Sequence, residues 1–330
     1  MDNPVLVEIT RGTLVESRHR GAVAVIDADG GRALALGDVD TPVYPRSAVK
    51  ALQALMLVES GAADRYGFGD EELALACASH AGEPGHVAGV AQMLARAGLT
   101  EAALQCGVHP PMHKASAEAL TRAGKVPTPL HHNCSGKHAG FLCASCATGS
   151  DVANYTAAGH PVQREVRAAL ETMSGTSIAD RQVGIDGCSV PTFALPLTAL
   201  AFTFARFATG RGLGEKRAAA ARRLRLACAA KPWHVAGTGM FVTEAMRHLG
   251  ERVFVKTGAE GAYCAALPEQ GLGIAVKCDD GAGRAAEVVT AAVIARFIEG
   301  DGKVFLQRFA SGAVRNWRGT AVGEMRAVGI

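Results

Sequence analysis

Residues 21–36 read GAVAVIDADGGRALAL, two short apolar runs (GAVAVI and RALAL) on either side of Asp29-Gly30-Gly31. Aspartate followed by paired glycines supplies the backbone freedom of a tight hairpin turn, so the stretch is read as two antiparallel strands. Upstream, Val5 to Ile9 reads as a further strand. Beyond Arg46 the period lengthens. Val49, Leu52, Leu55 and Met56 recur at helical spacing between Ser47 and Glu59, and Ser60-Gly61 ends the run.

Helical spacing continues through residues 72–78, 87–97, 115–123, 161–173 and 215–230, with Gly/Pro loops between them. The last third returns to strands: RVFVK (252–256), GAYCAAL (261–267) and GLGIAVKC (271–278) are separated by turns of hairpin length, and a closing helix spans 284–298. Strands at both ends with helices between them predict a mixed α/β (α+β) fold. One antiparallel sheet is completed by the two termini, and a mainly helical region, roughly 60–250, packs on or beside it. A doubly wound sheet would need strand and helix to alternate throughout. No repeat, low-complexity tract or long linker is present, so residues 1–330 are read as one domain with a helical subdomain.

Composition narrows the function class. Of 330 residues, 48% are hydrophobic and 20% charged, and the net charge of +3 is too small for a dedicated nucleic-acid binder. The basic stretch Lys216, Arg217, Arg222, Arg223 and Arg225 reads as a solvated helix face. Met1 to Val5 carries no basic or apolar leader, which argues against export. The longest apolar stretch, Phe193 to Phe204, contains Pro196 and falls short of the roughly 18 residues of a membrane span. Nine cysteines, an odd number at irregular spacing, read as reduced thiols in a cytoplasmic protein.

Four motifs carry chemistry. Ser47-Ala48-Val49-Lys50 is an S-x-x-K opening a helix, where residues three apart share a face and the Lys50 amine can lie beside the Ser47 hydroxyl. A serine hydroxyl needs an adjacent base to become a nucleophile, and lysine serves only when burial or a neighbouring cation keeps it neutral. Lys256-Thr257-Gly258 ends a strand, where glycine would let substrate approach the backbone. S-x-x-K early and K-T-G late is the layout of penicillin-recognising serine acyl-transferases, with Ser79-His80-Ala81-Gly82 standing where S-D-N is usual.

The third motif is His131-His132-Asn133-Cys134-Ser135-Gly136-Lys137-His138-Ala139-Gly140, and His131 occupies the position where a phosphate loop needs glycine. The fourth, GIDGCSVP (184–191), is a turn-rich loop expected to expose Cys188 two residues after Asp186. Cys134 and Cys188, on two glycine-containing loops, could supply half of a zinc site. Cys143 and Cys146 form a competing pair, but they lie in a helical apolar run and read as buried structural thiols, as do Cys77, Cys106, Cys228, Cys264 and Cys278. His80, His86, His131, His132 and His138 could be ligands, bases or structural side chains.

HHNCSGKHAGFL (131–142), GIDGCSVPTFALPL (184–197), YPRSAVKALQAL (44–55), CASHAGEPGH (77–86) and VKTGAEG (255–261) resemble the asparaginase II family, the rhizobial-type or class 3 L-asparaginases. The resemblance implies a fold akin to serine β-lactamases and glutaminases, a homodimer, and hydrolysis of L-asparagine to aspartate and ammonia. It also places two serine-lysine pairs on Ser47 with Lys50 and on Ser79 with Lys256. A zinc site falls on Cys134, Lys137 and Cys188 with water, and substrate-binding roles fall on Arg46, His80 and Asp186.

On this reading Ser47 attacks the side-chain amide, Lys50 takes its proton, and Ser79 with Lys256 relays protons or poises Lys50. The Ser47 N–H would contribute to the oxyanion site. A serine glutaminase or β-lactam-type acylase, or a non-catalytic zinc-binding or ligand-sensing protein, are the competing expectations.

Overall fold

A computed structural model of the chain describes residues 3–330. Met1 and Asp2, part of the segment read above for an export signal, lie outside the described residues. The described residues form ten strands: β1 (Val5–Arg11), β2 (Leu14–Asp27), β3 (Arg32–Leu36), β4 (Val183–Ile185), β5 (Pro191–Phe193), β6 (Phe254–Thr257), β7 (Ala262–Leu267), β8 (Leu272–Cys278), β9 (Ser311–Arg315) and β10 (Ala321–Ala327). The main sheet runs β6-β7-β8-β2-β1-β10-β9, with β3 also paired to β2. Every pairing is antiparallel. The sheet is therefore closed by both ends of the chain around a helical middle, as the strand pattern predicts.

The turn that decides the fold is set by Asp27. Its Oδ1 accepts the backbone N–H groups of Asp29 and Gly31, both at 2.8 Å, and Gly30 sits at φ +92°. An aspartate that bonds the backbone two residues ahead mimics a turn, and glycine adopts a positive φ without a Cβ clash. The turn then sets the register, Val23 opposite Leu36 and Ala24 opposite Ala35, while Val23 also faces Val276 of β8.

Three elements differ from the expectation. β2 starts at Leu14 rather than Gly21, because its first half, exposed on alternate residues, pairs with β1. The run from Ser47 to Glu59 is not one helix: a 3₁₀ turn (Arg46–Val49) leads into Lys50–Gln53, and the chain breaks at Ala54 before Leu55–Glu59. The helix Gly283–Phe297 does not close the chain, since a helix (Asp301–Ala310) and the β9–β10 hairpin follow. No residue of that hairpin's strands is fully buried and they carry no alternating apolar face, so they give no strand signal in the sequence.

The apolar run weighed above as a membrane span contributes the core helix Leu197–Thr209, which packs on β8 so closely that a Cβ on Gly273 would lie 1.9 Å from the Ala201 carbonyl. Among the described residues no helix is long and apolar enough to cross a membrane. All nine cysteines are free thiols, and eight are buried. The β4–β5 hairpin is stitched to the strand-like segment before Ser47: Val43 and Leu195 exchange backbone hydrogen bonds at 2.9 and 3.0 Å. That bridge brings Arg46 to Asp186.

Candidate active site

Ser47 lies in the first turn after Arg46, a non-glycine residue held at φ +51°. A bulky side chain in the left-handed region costs of order 1–3 kcal/mol, and such strain persists only where the surrounding structure enforces it. The enforcement is visible. Arg46 Nε donates to Asp186 Oδ1 at 2.5 Å, and Gly258 packs so tightly that a Cβ there would lie 2.3 Å from the Pro45 carbonyl. Glycine 258 is thus needed for the backbone entering Ser47; the room expected for substrate is taken by Pro45. The Ser47 side chain is part-buried, and neither its hydroxyl nor its backbone N–H has a hydrogen-bond partner among the described residues.

Lys50 and Lys256 are both sealed from solvent, at 0% exposure. Lys50 Nζ donates to the Ala78 carbonyl at 2.6 Å and to Ser79 Oγ at 2.9 Å. Lys256, at the end of β6, donates to Ser79 Oγ at 2.8 Å and to the Thr257 carbonyl at 2.9 Å. Both amines therefore converge on Ser79, and neither hydrogen-bonds Ser47, the partner that helical spacing suggests for Lys50. The two backbone carbonyls that steer the lysines carry no side-chain signature, so no motif could point to them. Burial, and then the charge of Lys50, hold Lys256 far below the ordinary lysine range.

Ser79 sits just after the helix Asp70–Ala76, on an irregular loop held by its neighbours. Its N–H donates to the Val235 carbonyl at 3.0 Å, and the His80 N–H donates to Asn133 O at 3.1 Å. His80 itself is fully buried. Its Nδ1 accepts the Gly82 N–H at 3.1 Å, which leaves Nε2–H to donate to Ser135 Oγ at 2.9 Å. One ring face stacks on His86, which stacks in turn on Trp233. With both nitrogens engaged and the ring fully buried, His80 supports the loop that carries Ser79.

Cys134, Lys137 and Cys188 are brought together, all at most 4% exposed. Cys188 is thus buried, contrary to the exposed loop position expected: the β4–β5 turn folds inward, Lys137 Nζ donates to Cys188 Sγ at 3.0 Å, and Cys188 Sγ contacts Asp186 Oδ2 at 3.6 Å. Lys137 reaches this point because the helix Ser135–Thr148 lies against the helix Asp70–Ala76 with no room for a side chain on Gly136, whose Cβ would fall 2.3 Å from the Leu75 carbonyl.

A hydrogen bond from Cys188, aided by the charges of Lys50 and Lys137, pulls Cys134 well below the thiol range despite its burial, whereas Cys188 is pushed up as the donor of that bond. Burial works against the Lys137 charge, but Cys188 and Cys134 outweigh it and hold Lys137 above the ordinary lysine range, so the group beside the two sulfurs is an ammonium. Zinc accepts thiolate sulfur, and Lys137 becomes a third donor only by giving up a proton, which a dication beside it favours. No group of three or more His, Cys, Asp or Glu among the described residues could hold a metal ion, so a cation here depends on Lys137 as third donor. Cys143, on the same helix, is driven up to about 12 by burial and belongs to the core.

A family model for L-asparaginase II matches residues 7–327. The chain belongs to the L-asparaginase II family. This L-asparaginase II chain also resembles solved structures at low similarity. One is a β-lactamase from Mycobacterium bovis, with 14% identity, a TM-score of 0.40, and coverage of 84% of this chain and 94% of that one. Another is Mglu, with 15% identity, a TM-score of 0.39, and coverage of 86% and 69%. No curated protein matches the chain in sequence. A large cavity of about 670 Å³ in this family member lies elsewhere, lined by Glu59, Glu165 and Arg217 but by neither serine of the site.

Proposed function

We propose that the chain hydrolyses the side-chain amide of L-asparagine to L-aspartate and ammonia through a serine ester. The observation that carries this reading is the pair of buried lysines that meet on Ser79 Oγ, one of them Lys50, three residues on from a serine whose hydroxyl and N–H have no hydrogen-bond partner among the described residues. Ser47 attacks the amide carbon, and its own N–H helps to hold the oxyanion. The hydroxyl proton moves into the Lys50–Ser79–Lys256 chain, where the depressed Lys256 amine is the group suited to accept it. The same chain returns a proton to the leaving nitrogen, and ammonia departs. Water then cleaves the aspartyl ester and restores Ser47.

Arg46, fixed through Nε by Asp186, keeps its terminal N–H groups for the substrate carboxylate, and Asp186 is the candidate partner of the substrate amine. If Cys134, Lys137 and Cys188 hold zinc, the ion supplies a fixed positive charge at the floor of the site and ties the β4–β5 hairpin to the helix Ser135–Thr148. Action as a homodimer in the cytoplasm completes the reading, from the family resemblance and nine unpaired thiols; the molecular mass in solution by sedimentation equilibrium checks the first part.

Ammonia release from asparagine by the parent, Ser47→Ala and Ser79→Ala proteins is the test. Parent-level turnover in Ser47→Ala would sink the nucleophile assignment. Glutamine and a chromogenic β-lactam in the same assay separate the glutaminase and acylase readings. Asparagine binding without turnover by the parent would mark a sensor.

A further inference from the structure

The loop that carries Ser79 has no regular secondary structure, so its position rests on what clamps it. Residues 79–83 run alongside residues 235–238 and are joined to them at both ends. At one end the Ser79 N–H donates to the Val235 carbonyl at 3.0 Å. At the other, Glu83 takes two bonds from one residue: the Thr238 N–H donates to Oε1 at 2.8 Å, and Thr238 Oγ1 donates to Oε2 at 2.8 Å. Thr238 Oγ1 also accepts from Trp233 Nε1 at 3.0 Å, and Trp233 stacks under His86 and His80. Between the two joints, Gly237 lies at φ +103°, and a Cβ there would come within 2.6 Å of Ala81 Cβ and 2.8 Å of Glu83 Oε1.

Glu83 is itself only 8% exposed, and the side-chain nitrogen of His113, Nδ1, lies 3.8 Å from Oε2. A carboxylate withdrawn from water this far is costly unless strong donors replace its hydration. Here both oxygens are used on a single threonine of a neighbouring segment, and burial is outweighed, so that Glu83 stays below the ordinary carboxylate range. The adjacent Pro84 starts the helix Pro84–Arg96 and fixes the direction from which the carboxylate arrives.

We propose that Glu83 is a positioning residue for Ser79, acting through Thr238 to hold the 235–238 segment whose Val235 carbonyl sets the Ser79 backbone. The inference rests on the asparaginase reading above for its rate consequence, but not for its structural one. Ser79 Oγ must stay within reach of two fixed amines at once, and small misplacements of such groups are expensive in rate, on the order of 100-fold for about 1 Å.

The test uses the full chain with Glu83→Gln, Thr238→Val, the double variant and Thr238→Ser. Glutamine keeps an acceptor for the Thr238 N–H but turns an amide donor toward Thr238 Oγ1, stranding the hydroxyl proton. Expected are a fall in kcat on asparagine of about 10- to 100-fold with KM nearly unchanged in Glu83→Gln and in Thr238→Val, no further loss in the double variant, and recovery in Thr238→Ser. Amide hydrogen exchange in 79–83 and 235–238 should speed up together in Glu83→Gln. Unchanged kcat, losses that multiply in the double variant, or unchanged exchange in residues 79–83 would each overturn the proposal. A parent protein that releases no ammonia would overturn the functional reading instead, and exchange alone would then decide the clamp.

Discussion

Lys50 and Lys256 meet at one atom: Ser79 Oγ is 2.9 Å from the first amine and 2.8 Å from the second, and both side chains are cut off from water. Two ammonium groups sharing one hydroxyl in a dry site repel strongly, so the arrangement favours one charge rather than two. Lys256 is the member driven far below its ordinary range, by burial first and by Lys50 second. The site is thus built with a neutral amine and a hydroxyl able to pass protons to it.

Lys256→Met should therefore lower kcat by about 10²- to 10⁴-fold, the usual contribution of a positioned acid–base group. In the parent, kcat/KM should fall as pH drops and the Lys256 amine takes up its proton. The same substitution should raise thermal stability at neutral pH. The folded state resists protonating Lys256 while the unfolded state does not, so the parent carries a penalty that is full below the folded pKa and vanishes as pH approaches the range of an ordinary lysine. Melting curves of both proteins from pH 6 to 10 check this, and a stabilisation that grows with pH would contradict it.

Much of this centre was legible in the sequence. S-x-x-K, K-T-G and the Ser79 loop marked the four residues, and the helical period placed Lys50 on the Ser47 side of its helix. What spacing could not reveal is that the Ala78 and Thr257 carbonyls draw both amines toward Ser79, because backbone acceptors leave no residue-type signature. The burial of Cys188 was hidden for a related reason: its loop looks polar and turn-rich, and only the distant Lys137 draws it inward. The turn at Asp29-Gly30-Gly31 was readable because aspartate and glycine act locally, although the side chain that caps it is that of Asp27; β10 instead pairs with β1 at the other end of the chain, Val7 opposite Ala327 and Ile9 opposite Met325, and β9 pairs only with β10.

Arg46 and Asp186 form the contact that aims the guanidinium, at 2.5 Å and with exposures of 25% and 10%. Lysine cannot reproduce a planar fork that bonds Asp186 through one nitrogen and substrate through others. Arg46→Lys should raise KM for asparagine about tenfold, a change of ~1.4 kcal/mol in binding, with kcat within a few-fold of the parent. Asp186→Asn should do the same, and the double variant should be little worse than either alone. Steady-state kinetics of the three proteins provide the check; a loss confined to kcat would remove both residues from substrate binding.

The thiol cluster makes a separate prediction about metal content. On the proposed assignment of zinc to Cys134, Lys137 and Cys188, the parent should contain zinc and Cys134→Ala, Lys137→Met and Cys188→Ala should each lower it at least tenfold by elemental analysis, in line with losing a direct ligand where even outer partners cost 10- to 100-fold; a parent without zinc would overturn the assignment. Cys143→Ala and Cys146→Ala should leave it unchanged. The reverse pattern would move the site to the helix that carries Cys143.

Gly258 offers the sharpest test of how Ser47, the proposed nucleophile, is held. A Cβ at this position would stand 2.3 Å from the Pro45 carbonyl and 3.2 Å from the Ala48 N, the two residues that flank Arg46 and Ser47, and backbone atoms cannot rotate out of the way as a side-chain tip can. Gly258→Ala should therefore displace the Ser47 turn, costing about 1–3 kcal/mol of stability as over-packing does and on the order of 100-fold in kcat through misplacement of the attacking oxygen. Gly283→Ala is the matched control, because a Cβ there meets nothing within 4 Å. A Gly258→Ala protein with parent kcat and melting temperature would mean that the Pro45–Ser47 segment can shift freely, and that the strain at Arg46 is not what places Ser47.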